Sequence, residues 1–238
     1  MNYFILILFI SFSLICESII LDRKQLAEWV PDFNVTKSVQ LMYADITSIE
    51  TNTFDGLTNI QQIILYFNQI ASLSPNTFCS LINLQVLWLH INILTNVDNA
   101  FKCKGLISLE QLTLSYNLFE SLNENTFSQL VNLKGLELHH NQIKAISARA
   151  FNGLNQLTWL ELSSNNVTSL NDPLVFRECS SLTDLYLNSN RLVEIDRTIF
   201  VGLNSLTAVY LGENPISQMR PDYVKNLCST NLNCTIYL

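Results

Sequence analysis

What this 238-residue chain has little of narrows what it can do. Glycine occupies six positions, and none of them forms a phosphate-cradling loop or a dinucleotide fingerprint. No nucleophile elbow or comparable catalytic phrase is present. Histidine occurs three times, as His90, His139 and His140. Residues adjacent on a strand point different ways, so His139 and His140 with Glu137 make no closed ligand set, and no metal is expected. Without a recognisable constellation, neither an enzyme nor a cofactor is expected. Thirteen basic residues face twenty acidic ones, a net charge of −7. That balance argues against nucleic acid and against an anionic membrane surface.

Long apolar runs are also scarce. Tyr3 to Ile15 is one, and no second run of that length follows, so no membrane span is expected in the mature chain. Cys16, Glu17 and Ser18 offer small residues for cleavage, and residues 1–18 read as a secretory signal. The signal lacks Lys and Arg before its apolar run, and an uncleaved signal anchor is the alternative. A spanning helix wants about 20 apolar residues, more than are present. Residues 234–238 are too short for an anchor tail. Sequons at Asn34, Asn166 and Asn233 suit a secreted, extracellular glycoprotein.

What the chain does contain is a repeated phrase. Asparagine recurs at Asn68, Asn92, Asn117, Asn141, Asn165, Asn190 and Asn214, at intervals of 24 or 25 residues. Leu84-x-x-Leu87-x-Leu89-x-x-Asn92-x-Leu94 is one copy, and Leu133 to Ile143 is another. About ten residues after Ala44 and after each of these asparagines except Asn214 stands a phenylalanine: Phe54, Phe78, Phe101, Phe127, Phe151, Phe176 and Phe200. Self-similarity at this period marks a solenoid, because one copy cannot bury its apolar face alone. The phrase resembles the leucine-rich repeat over about Thr36 to Cys228. Return segments such as Asn76 to Leu81 resemble the typical 24-residue extracellular subclass, as in Toll- and Slit-type ectodomains.

The resemblance implies an α/β solenoid: a horseshoe with a concave parallel β-sheet, eight repeats and capped ends. A degenerate first copy has Ala44 in the Asn slot. Residues 19–35 then form an N-terminal cap, 36–213 the solenoid and 214–238 a C-terminal cap. Leu26, Trp29, Val30 and Phe33 are expected to cover the first repeat, and a short helix over Pro221 to Leu227 the last. Within each strand, side chains alternate, so Leu136 and Leu138 point inward while Glu137 and His139 point to solvent. The Asn amide carries donors and an acceptor, and is expected to satisfy buried backbone groups of its own turn and the next.

Cys79 and Cys103 each follow an Asn slot by eleven residues. They share a phase in adjacent repeats, stacked about 5 Å apart, which suits a disulfide. Cys228 and Cys234 are expected to close the C-terminal cap. Cys179 is left over, either as a buried thiol or as a link between two chains.

The register also defines the outward surface, at six, four, two and one residues before each Asn slot. Eight aromatic residues fall there: Tyr43, Tyr66, Phe67, Trp88, Tyr116, Trp159, Tyr186 and Tyr210. So do His90, His139 and His140, and the acids Glu137, Glu161, Asp184 and Glu213. None of the thirteen Lys and Arg residues does. The N-terminal half is apolar and the C-terminal half acidic. Aromatics at this density suit a contact surface; binding by convex loops, with the concave rings merely packing on one another, is the alternative. The expected function is non-catalytic recognition of a protein partner with an apolar patch beside a basic one, as a monomer or weak homodimer. A self-associating matrix protein and a truncated receptor ectodomain are the competing readings.

Overall fold

The computed structural model describes residues 18–228 and 234–238. The apolar run Tyr3 to Ile15 and the sequon residue Asn233 lie outside the described residues, so neither the signal nor that glycan site is addressed by it.

Three-residue strands begin at Ser38, Gln62, Val86, Gln111, Gly135, Trp159, Asp184 and Ala208, and each pairs in parallel with the next. The register never slips across these pairs. Ile64, Trp88, Thr113, Glu137, Glu161, Tyr186 and Tyr210 therefore stand in one row. Behind the sheet lies the core, where strand leucines such as Leu87, Leu112 and Leu136 are fully buried. The phenylalanines form a second column. Phe127 and Phe151 stack at 6.4 Å, and Phe151 and Phe176 at 5.6 Å.

Each asparagine side chain closes the same set of bonds. Asn141 Nδ2 donates to the Leu138 carbonyl of its own repeat at 3.0 Å and to Leu114 of the preceding one at 3.1 Å. Its Oδ1 accepts from Phe119 N at 3.1 Å. The pattern recurs at Asn68, Asn92, Asn117, Asn165, Asn190 and Asn214, all of them buried. One residue before every slot the backbone is left-handed. Tyr43, Phe67, Ile91, Tyr116, His140, Ser164, Ser189 and Glu213 have φ between 53 and 57°. None is glycine, and such a conformation costs on the order of 1–3 kcal/mol per residue. It persists because the ladder fixes both sides of the turn, and the turn's own N–H is also used: Tyr116 N donates to the His139 carbonyl at 2.9 Å.

A second, exposed ladder runs just before the strands. Asn83 Nδ2 donates to the Thr58 carbonyl at 2.8 Å, Ser108 Oγ to Ile82 at 2.6 Å and Asn132 Nδ2 to Ile107 at 2.6 Å. The sequence reading did not anticipate it.

The ends differ from expectation. At the N-terminus Ile19–Leu21 forms a strand parallel to Ile46–Ile49, followed by a helix over Arg23–Trp29. Leu26 is fully buried and Val30 and Phe33 pack on the core. Trp29, at the last helical position, is 37% exposed. At the C-terminus there are two short helices, Pro215–Met219 and Pro221–Lys225, where one was expected. Pro221 excludes its predecessor from the helical region, and Arg220 sits at φ −142°, ψ 56°. The edge of the sheet is covered by a ninth strand, Thr235–Tyr237, paired in parallel with Ala208–Tyr210, and not by a helix.

Disulfides join Cys79 to Cys103 and Cys228 to Cys234. Gly105 makes room for the first: a Cβ there would lie on the Cys79 carbonyl oxygen. Cys179 is a free, fully buried thiol. Burial first, and the Glu178 carboxylate second, push its pKa up to about 12. Linking two chains would require opening the core around it.

Replacing Asn141 with Leu leaves the Phe119 amide without its partner and takes one of two amide donors from each of the Leu114 and Leu138 carbonyls. The expected loss in urea unfolding is at least about 1–3 kcal/mol, the cost of one unsatisfied buried group. Asn132→Ala on the exposed ladder should cost less than about 1 kcal/mol; equal losses would remove the buried ladder's special role. Cys179 should react with an aromatic disulfide reagent only after unfolding, and prompt labelling of the native protein would contradict its burial.

Candidate functional site

The concave sheet presents two parallel rows of side chains above an inward-facing floor of leucines. The row four residues before the Asn slots runs Ile64, Trp88, Thr113, Glu137, Glu161, Tyr186, Tyr210 and then Tyr237. The row two before the slots runs Tyr66, His90, Ser115, His139, Ser163, Asn188 and Gly212. The left-handed residues add a third, more exposed line, which includes Tyr43 at 65% and Tyr116 at 47% exposure.

Strand spacing of about 4.8 Å brings equivalent rings into contact, and the expected aromatics separate into groups. At the N-terminal end Tyr43 stacks on Phe67 at 4.6 Å and Tyr66 on His90 at 4.7 Å. In the centre Tyr116 stacks on His140 at 4.3 Å and meets His139 edge-on at 5.4 Å. At the C-terminal end Tyr186, Tyr210 and Tyr237 form a continuous stack, at 4.4 and 4.7 Å. Trp159 stands between groups with its indole over Gly135, where a Cβ would come within 2.4–2.6 Å of the ring. Much of the aromatic area is thus spent on intramolecular stacking, while one edge of several rings stays open to solvent.

Between the first two groups the surface dips. Thr113 and Ser115 are small, 7% and 2% exposed, and overhung by their neighbours. Trp88 and His90 rise on one side, Glu137 and His139 on the other. With Tyr66 and Tyr116 they line a hollow of about 570 Å³. The floor hydroxyls are engaged: His90 Nδ1 lies 2.9 Å from Thr113 Oγ1, and Ser115 Oγ donates to Glu137 Oε2 at 3.4 Å. His139 Nδ1 is buried and has no hydrogen-bond partner.

The electrostatics follow from partial burial. Glu137 is held above the usual carboxylate range, chiefly by desolvation and also by Glu161, against the Ser115 hydrogen bond. Glu161 is raised by desolvation, partly offset by bonds from Ser163. Burial lowers His90 and His140. His139 is lowered to about 4, by burial first and then by His140 and His90. Lowered from 6.5, the imidazoles are uncharged at neutral pH. Among the described residues the ion pairs are Lys24–Glu28, Lys134–Glu110 and Lys144–Glu120, and none engages a concave carboxylate. Asp184 accepts from Thr183 Oγ1 at 2.7 Å, and Glu213 from Ser189 Oγ at 2.6 Å. Among the described residues no cluster of three His, Cys, Asp or Glu could hold a metal ion, and no helix is long and apolar enough to cross a membrane.

The leucine rich repeat model matches residues 36–94, 82–143, 107–167 and 180–233, well over half of the chain, in phase with the Asn ladder. The chain belongs to the leucine-rich repeat family. Comparison with curated proteins gives no match. Leucine-rich repeat domains are generally non-catalytic protein-interaction modules.

The repeat register alone missed Tyr237, because the last strand carries no Leu–Asn phrase. Register also carries no measure of relief on the outward surface. The small residues Thr113 and Ser115 were visible in it, but their effect depends on how far Trp88 and Glu137 overhang them.

His139 should titrate near pH 4 in the folded protein, followed by the imidazole proton resonances. Its folded pKa lies below the unfolded value of about 6.5, so the unfolded state takes up the proton first as pH falls. The stability linked to the neutral ring is complete above about pH 6.5 and is lost as pH falls toward 4. The advantage of the native protein over His139→Gln should shrink across that window, with Glu137, Glu161, His90 and His140 common to both. A His139 resonance titrating at 6.5 would contradict the burial.

Proposed function

We propose that this leucine-rich repeat protein is a secreted recognition module that binds a protein ligand on its concave face and performs no chemistry. The observation carrying this reading is a surface, eight repeats long, with exposed aromatic edges and unneutralised carboxylates and no lysine or arginine at any outward strand position. Tyr and Trp supply large contact area at low ordering cost. The acidic C-terminal half would hasten approach of a basic partner. Apolar Ile64 and the Tyr43–Phe67 pair at the other end suit an adjoining apolar patch on the same partner. Two disulfides between nearby cysteines favour an oxidising compartment, and the exposed Asn34 and partly exposed Asn166 are available for glycans. A matrix role through Cys179 finds less support, since that thiol is fully buried.

Affinity capture from the secreting tissue, with the native protein and with Trp88→Ala and Trp159→Ala, tests this reading. Each truncation should weaken capture of the ligand about tenfold or more, equivalent to about 1.4 kcal/mol. Changing Glu137 and Glu161 together to Lys should slow association at low salt. Recovery of the same partner with undiminished affinity by all three variants would refute a concave site.

A further inference from the structure

The geometry points to the central hollow as a socket for one arginine side chain of the protein ligand. This deepens the proposed concave reading and rests on it. Four observations converge on a guanidinium. The first is shape. Trp88, Thr113 and Glu137 are directly in register on successive strands, as are His90, Ser115 and His139 one step along. Small residues between large ones leave a slot one strand wide, with walls two strand spacings apart, about 10 Å between backbones. A flat group fits such a slot better than a bulky one.

The second is the free ring face. Tyr66 is stacked on His90 and Tyr116 on His140. Trp88 is only tilted against its ring neighbours, at 46° to Tyr66 and 57° to His90. Its face is thus not used by a parallel partner, and indole is the strongest aromatic acceptor for a cation. The third is charge. Glu137 forms the opposite wall, its Oε2 steadied by Ser115, and no ion pair among the described residues neutralises it. The flanking Glu161 adds a second negative charge on the next strand in the same row. The fourth is the character of the remaining lining. The imidazoles of His90 and His139 bring no positive charge at neutral pH. A planar cation with several N–H donors can lie against indole while bonding to a carboxylate, which a compact ammonium does less well.

The test uses the full chain and three short peptides, acetyl-Gly-Arg-Gly-amide and its citrulline and lysine counterparts, followed by the indole N–H signals of the protein. The Trp88 signal is assigned with Trp88→Phe. The arginine peptide should give a saturable shift of that signal, with a Kd in the millimolar range, about 1–10 mM for a single side chain. Citrulline keeps the shape and loses the charge, and should bind at least tenfold more weakly. Lysine should fall between them. Glu137→Gln should weaken arginine binding at least fivefold without lowering the melting temperature of the protein. Equal binding of citrulline, no saturable response to about 50 mM arginine peptide, or a response confined to Trp29 or Trp159 would overturn the assignment. If those results came with loss of ligand capture by Trp88→Ala, the arginine socket would fail and the concave site would stand. An arginine response with capture unaffected by any concave variant would instead reject the concave ligand site on which the inference rests.

Discussion

Everything in this molecule depends on how it settles the backbone groups left over where each strand ends. A coil that turns sharply behind a three-residue strand exposes carbonyls and amides to an apolar interior, where each unsatisfied group costs about 1–3 kcal/mol. One carboxamide per repeat resolves the problem for two repeats at once, donating to its own strand end and to its predecessor's while accepting from the preceding turn. The bond crosses the repeat boundary, so the ladder closes each turn and couples it to the next. It also holds a non-glycine residue in the left-handed region at every turn. This explains how a solenoid of this length manages with six glycines.

The same constraint decides what could be read from the sequence. The Asn slots and their leucines specify backbone register, and register determines which residues face inward. The sheet order, the phenylalanine column and the Cys79–Cys103 pairing were therefore accessible from spacing alone. Features that rest on side-chain bulk or on non-repeating chain were not. Thr235–Tyr237 joins the sheet without any repeat phrase, so Tyr237 was invisible as an extension of the tyrosine stack. Trp29 has the composition of a core residue but stays partly exposed at a helix end. The hollow over Thr113 and Ser115 depends on rotamers of Trp88 and Glu137, which spacing does not report.

A surface built this way has little backbone relief of its own. Because the strands never slip, height above the sheet is set by side-chain size at each row and column. A small residue between two large ones becomes a notch; a glycine under an indole, as at Gly135, becomes a seat. Self-stacking of the tyrosines has a related consequence. Rings fixed by their neighbours lose little further freedom when something docks on their edges, so preorganisation accompanies the loss of free faces. Packing on one another and presenting a contact surface are then compatible roles for the same residues.

Charge sharpens the point. Partial burial raises Glu137 and Glu161 above the ordinary carboxylate range, which means the folded protein holds those charges at some expense to its own stability. Thirteen basic residues exist in the chain, and two of them pair with acids elsewhere on the solenoid, Lys134 with Glu110 and Lys144 with Glu120. A basic side chain on an outward strand position would have relieved the concave acids at no cost to the ladder, since those positions point away from the core. Their consistent lack of a cation is not required by the fold. It leaves a negative field and an open indole face directed at the same notch, an arrangement more readily explained by what docks there than by what holds the coil together.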